Sequence, residues 1–120
     1  MRWLFKTEPT EYSFERLVRD KKIKWDGVTN ALALRHLRSV KKGDSVMIYH
    51  TGGVRAIVGL ARVAADGPEI APDRALDKPV ALEAIKKNSK FKNFDLVRNG
   101  RLSVLPVPDE LWDELLKLSS

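Results

Sequence analysis

The chain has 120 residues, 43% hydrophobic and 32% charged, a composition that supports one folded core and excludes a disordered segment. It contains no cysteine, which excludes disulfides, zinc ribbons and thiol nucleophiles and fits a reducing compartment. The formal net charge is +6, and the excess lies in residues 1–60, with 12 Lys/Arg against 6 Asp/Glu; this suits either a polyanionic partner or a solvated basic face.

Arg2 to Lys6 alternates in character and predicts a strand. Pro9 turns the chain through Thr7–Tyr12, and Ser13 is placed to cap a short helix, Phe14 to about Asp20. Ile23 to Asp26 predicts a second strand, with Ile23 and Trp25 on one face. Gly27 breaks it, and Asn30 stands as N-cap of a second helix, Ala31 to about Val40. Ser45–His50 and Val54–Ala64 form a strand pair around Thr51-Gly52-Gly53. Glu69–Leu76 continues as a strand that Pro72 confines to an edge or a bulge. A short helix (Leu82–Lys87), a last strand (Leu102–Val107) and an amphipathic helix (Asp109–Leu118) complete the chain. Strands interleaved with short helices predict one α+β domain over residues 1–120 with a small curved or closed sheet. No apolar run reaches a membrane span, and the first six residues are too short for a signal peptide. The expectation is a cytoplasmic protein, nuclear if eukaryotic, and a monomer.

The stretch Ile23–Asn30 concentrates the chemistry. A tryptophan at a strand end, beside a carboxylate and a glycine, suits a flat ring; the same tryptophan also suits a core plug. Trp3, in the first strand, and Trp112, on the last helix, are expected in the core. Ser13 and Asn30 each have one side-chain oxygen to share between helix capping and a ligand. Asp26 can accept from an exocyclic amine or hold a turn, and His50 can meet a phosphate or serve structure. Arg35, Arg38, Lys41, Lys42 and Arg101 are candidate phosphate contacts. With two histidines and no thiols, no metal constellation is present and no cofactor is expected.

Several segments together resemble one family. Trp3-Leu4-Phe5-Lys6-Thr7-Glu8-Pro9 with Tyr12-Ser13, then Trp25-Asp26-Gly27-Val28 with Asn30, resemble the opening blocks of the EVE-domain family, the thymocyte nuclear protein 1-like members of the PUA-like superfamily. Gly43-Asp44 with Tyr49-His50, Val58–Val63, and Arg101–Val104 with Pro106-Val107 resemble the remaining blocks, in family order across nearly the whole chain. The resemblance implies a PUA-like β-barrel of about five to six strands flanked by short helices, similar to the YTH domains that hold methylated adenine in an aromatic pocket. It implies a nucleic-acid reader of a modified base, with modified cytosine among the ligands. Trp25 would be a wall of the base pocket, with Lys6 and Ser13 lining the same cavity; Asp26, Asn30, Tyr49 and His50 are further candidate pocket residues. The chain departs from the family pattern at Thr29 (often arginine), at Thr51 (often serine), in a shortened segment after Val63, and at Pro108 in place of a hydroxyl N-cap.

Lys6-Thr7-Glu8 also resembles the Lys, Thr and Glu of ASCH-type amidohydrolases, PUA-like enzymes acting on acetylated cytidine. Successive strand residues point to opposite faces, so Lys6 and Thr7 are not expected to converge as a base–nucleophile pair. The expected function is therefore binding without catalysis, with a PUA-type RNA-binding module lacking modification specificity as the alternative. A wall-forming Trp25 predicts that truncation costs binding more than stability.

Overall fold

The computed structural model describes residues 1–120. Trp3, Leu4 and Phe5 are three large apolar residues in succession, and a strand carrying such a run must be covered on both faces. They form the middle of β1 (Arg2–Thr7), and all three are buried, so the expected alternation gives way to burial on both sides. The indole N–H of Trp3 donates to Asp44 Oδ2 at 2.9 Å, which satisfies the ring's polar atom inside the core.

β1 pairs in parallel with β3 (Ser45–His50) and antiparallel with β6 (Val104–Pro106). A parallel neighbour requires a crossover, here built from α1 (Phe14–Asp20), β2 (Ile23–Lys24) and α2 (Ala31–Ser39). Both helices start where expected: Ser13 Oγ accepts from the Arg16 N–H at 3.1 Å, and Asn30 Oδ1 accepts from the Ala33 N–H at 3.0 Å. β3 turns into the antiparallel β4 (Ala56–Ala65), which turns into β5 (Glu69–Ala81), giving one mixed sheet in the order β2-β5-β4-β3-β1-β6. β4 begins two residues later than the sequence suggests, because Val54 and Arg55 belong to the turn, with Arg55 at φ 49°. The protein is thus α+β around a six-stranded sheet.

β5 runs five residues beyond the expected end at Leu76. Pro72 lacks an N–H, yet it faces Ala61 next to a register shift, so the missing donor falls at a bulge. β2 pairs only with Glu69 and Ile70, which leaves the rest of that β5 edge free of a strand partner. Residues 88–99, with no predicted element, hold a 3₁₀ turn (Ser89–Phe91) and α4 (Asp95–Arg98), through which Phe91, Phe94 and Leu96 reach the core. The short helix α3 (Leu82–Lys87) and the terminal α5 (Asp109–Leu118) pack against β5, and Trp112 and Leu115 of α5 are buried. α5 has no side-chain cap at Pro108; Asp109 and Glu110 in its first turn complement the helix dipole instead. No helix is long and apolar enough to cross a membrane.

Gly59 in β4 lies under Phe14 of α1: a Cβ built there would stand 2.5 Å from two atoms of the phenyl ring. The missing side chain lets the helix seat its first aromatic on the sheet. This seat holds the start of α1 next to the end of β1, where the candidate site lies.

Candidate functional site

Where β1 ends, the chain leaves the sheet, and the same happens at β2 and just before β6. These exits surround an open cavity of about 490 Å³, lined by Lys6 and Thr7, Glu8 to Tyr12 in part, Ile23–Asn30, and Arg101 and Ser103. Trp25 forms part of its wall. The expected strand stops at Lys24, but the Trp25 N–H still donates to Pro68 O at 2.9 Å, which fixes the residue beside the β4–β5 turn. Its ring packs against Phe5 (centroids 5.3 Å apart, 44° between planes) and receives Tyr12 edge-on (6.4 Å, 87°). Only 9% of the residue is exposed. Trp25 is therefore a core residue that also lines the cavity.

Lys6 is half-buried beside this wall. Its Nζ donates to Gly100 O at 2.8 Å and lies 5.6 Å from the centroid of the Tyr49 ring, its register partner on β3. Burial lowers its pKa from the ordinary 10.5, since leaving water disfavours the ammonium. Thr7, the last residue of β1, borders the cavity as well. Lys6 and Thr7 nevertheless remain separately engaged, because Thr7 Oγ1 donates to Tyr12 O at 2.8 Å. Glu8 accepts from Thr51 Oγ1 at 3.3 Å and from Thr10, so its carboxylate ties the loop after β1 to the β3–β4 turn. The threonine at 51 thus supplies the hydroxyl that Glu8 uses.

The predicted residues divide into two groups. Lys6, Trp25, Asp26, Asn30 and Arg101 line the cavity together. Ser13, Tyr49 and His50 do not. Ser13 Oγ is committed to capping α1, and Tyr49 is buried beneath Lys6 with its phenol pKa raised by desolvation. His50 is 5% exposed, and its Nε2 accepts from the Phe14 N–H at 3.0 Å, so it serves the start of α1 rather than a phosphate. Burial pulls its pKa below the ordinary 6.5, against the opposing pull of Glu15 and Glu8. Asn30 both caps α2 and borders the cavity; its Oδ1 is taken, leaving its amide N–H groups for a ligand.

Tyr12, Lys24, Glu11 and Ser103 also line the cavity and were not among the candidate site residues; Thr29, noted as a departure from the family pattern, lines it too. Tyr12 carried the strongest available signal, as an aromatic in the loop that Pro9 creates. Its hydroxyl donates to Asp20 at 3.0 Å, and burial together with that carboxylate pushes its pKa up to about 12, so it stays a neutral phenol. The lining carries Lys6, Lys24 and Arg101 against Glu8, Glu11 and Asp26, a balance that leaves the cavity itself without charge excess. The cations of α2 and the following turn lie elsewhere. Arg35 is exposed on α2 and borders neither this cavity nor its neighbour, whereas Arg38, Lys41 and Lys42 line a second cleft.

The EVE domain family profile matches residues 1–74 and 68–118. No curated protein sequence matches the chain significantly. Among solved structures, Rpa0253 from Rhodopseudomonas palustris is 30% identical with a TM-score of 0.92, covering 98% of this chain and 92% of that one. Protein Atu2648 from Agrobacterium tumefaciens is 28% identical with a TM-score of 0.93, covering 99% and 92%. Human THYN1 protein, in complex with 5-methylcytosine containing DNA, is 23% identical with a TM-score of 0.90, covering 99% and 97%, and so shares the PUA-like fold. With profile matches running from residue 1 to residue 118, the chain belongs to the EVE-domain family.

Proposed function

We propose that this domain binds a nucleic-acid strand and holds one modified base in the Trp25 cavity, without catalysing a reaction on it. The observation that carries this reading is the open cavity of about 490 Å³ lined by Trp25 and by polar groups around it, a size within the usual range for small-molecule sites. Taking a base out of its stack costs a few kcal/mol. Full stacking on an aromatic face returns about 1–3 kcal/mol, but a tryptophan only 9% exposed as a residue offers at most partial overlap. Edge hydrogen bonds supply the rest. Lys6 donates to a ring nitrogen or carbonyl oxygen, and Asp26 accepts from an exocyclic amine, a pair that favours a cytosine-type edge over a thymine-type one. The DNA complex of human THYN1, a relative in fold, contains 5-methylcytosine and supports the same ligand class. Separate engagement of the Lys6 amine and the Thr7 hydroxyl speaks against a base–nucleophile pair.

The test is fluorescence anisotropy with DNA and RNA oligonucleotides carrying cytosine, 5-methylcytosine, 5-hydroxymethylcytosine or N4-acetylcytosine at one position. The expected result is tighter binding to one modified base, with that base recovered unchanged after incubation. Equal binding regardless of modification would select the RNA-binding module instead. Deacetylated product would make the protein an enzyme.

A further inference from the structure

The charge balance of the Trp25 cavity leaves the basic excess of residues 1–60 without a place in it. Much of that excess gathers in the second cleft, of about 540 Å³, between the end of α2 and the β4–β5 turn. Arg38, Lys41 and Lys42 border it, opposed by one carboxylate, Asp66. All three cations are exposed, and the ion pairs of the protein lie elsewhere, at residues such as Arg2, Arg16, Lys87 and Lys117. Asp66 accepts from the Lys42 backbone N–H at 3.3 Å, which draws the turn against the cationic segment.

The two cavities share their framework. Pro68 borders the cleft, and its carbonyl accepts from the backbone N–H of Trp25 in the cavity wall. α2 spans them as well: Asn30 at its N-cap lines the cavity, and Arg38 near its C-terminus lines the cleft. Eight residues of helix separate these positions by about 12 Å. A stacked strand advances about 3.4 Å per nucleotide, so Asn30 and Arg38 are separated by about the rise of three to four nucleotides.

We infer that the cleft lined by Arg38, Lys41 and Lys42 is a second binding subsite, for the phosphodiester backbone flanking the base held beside Trp25. The inference rests on the nucleic-acid reading above and adds a division of labour. The balanced cavity reads a base, and the cleft supplies affinity indifferent to sequence and modification.

The experiment measures affinity across a salt series for modified and unmodified oligonucleotides, using the intact protein and surface variants whose thermal unfolding is checked first. Arg38→Ala, Lys41→Ala and Lys42→Ala should each weaken binding about fivefold at 0.15 M salt and reduce the log–log slope by about 0.7–0.9, equally for both strands. Arg35→Ala, on the same helix but outside the cleft, and Lys86→Ala, on another face, should do much less. Asp66→Asn keeps an oxygen for the Lys42 N–H and removes the opposing charge, so it should tighten binding. Oligonucleotides ending at the held base should lose the effect of the cleft variants. If the cleft variants behave as Arg35→Ala and Lys86→Ala do, the subsite is overturned while the base cavity stands. If they weaken binding but modification has no effect, the subsite stands and the modified-base reading falls. Failure of the wild-type protein to bind any oligonucleotide overturns both.

Discussion

The indole of Trp25 packs 5.3 Å from Phe5 inside the core, and the residue also lines the cavity. Truncation therefore removes core contacts and wall together. Trp25→Ala should cost about 3–5 kcal/mol of stability, measured by denaturant unfolding, so its loss of binding would be uninformative. Trp25→Phe keeps an aromatic against Phe5 and should remain folded, with base-specific affinity reduced more than affinity for an unmodified strand; equal losses would remove Trp25 from base recognition. His50 provides a second residue-level test. Its folded pKa lies below 6.5, so between that value and 6.5 the unfolded chain binds more protons than the folded one. Its contribution is present above pH 6.5 and is lost as the pH falls towards the folded pKa. Protonation of Nε2 would also remove the acceptor of the Phe14 N–H. Thermal unfolding between pH 7.5 and 5 should show this decline, and His50→Gln should flatten it; an unchanged profile in the variant would assign the decline to other groups.

At the scale of elements, Phe14 of the crossover is seated on Gly59 of the sheet. A methyl group at 59 stands 2.5 Å from ring atoms of a residue only 4% exposed, with little room to withdraw. Gly59→Ala should destabilise the protein by about 1–3 kcal/mol, the usual range for overpacking. Phe14→Leu combined with it should cost less than the sum of the two single changes, because the clash is shared. Strict additivity in the double-mutant cycle would separate the two sites. Displacement of α1 would also carry Tyr12 away from Trp25, so base-specific binding is a second readout of the same variant.

For the whole molecule, a net charge of +6 with its excess in residues 1–60 predicts steeply salt-dependent binding. The log–log slope should be about −0.7 to −0.9 per phosphate neutralised, depending on strand type. A slope near zero would mean that base contacts alone hold the ligand. The rim cations Lys6, Lys24 and Arg101 face three carboxylates, whereas the cleft cations face one. Most of the slope is therefore assigned to the cleft.

The sequence by itself determined the features set by neighbours along the chain. Ser13 and Asn30 cap helices because a short polar side chain reaches an N–H three residues on, and Gly52 turns the chain after β3 at φ 72°, a conformation that glycine adopts readily. The linear blocks shared with EVE domains made the fold legible for the same reason. Only the tertiary structure decided the extent of β5, whose bulges are set by pairing with β4, and the burial of Phe91 and Phe94 in a segment with no clear periodicity. It also decided the roles of ambiguous oxygens and rings: Ser13 went to the cap, His50 to a backbone N–H, and Trp25 to both core and wall. Cavity partners such as Lys6, Trp25 and Arg101 are far apart in sequence; β1 and β6 are paired neighbours, whereas β2 is the opposite edge of the sheet, so the sheet must curl to bring Trp25 against Phe5 and beside Lys6. Local patterns specify which groups a segment offers; competition among distant partners for each polar atom and each buried face settles which offer is taken.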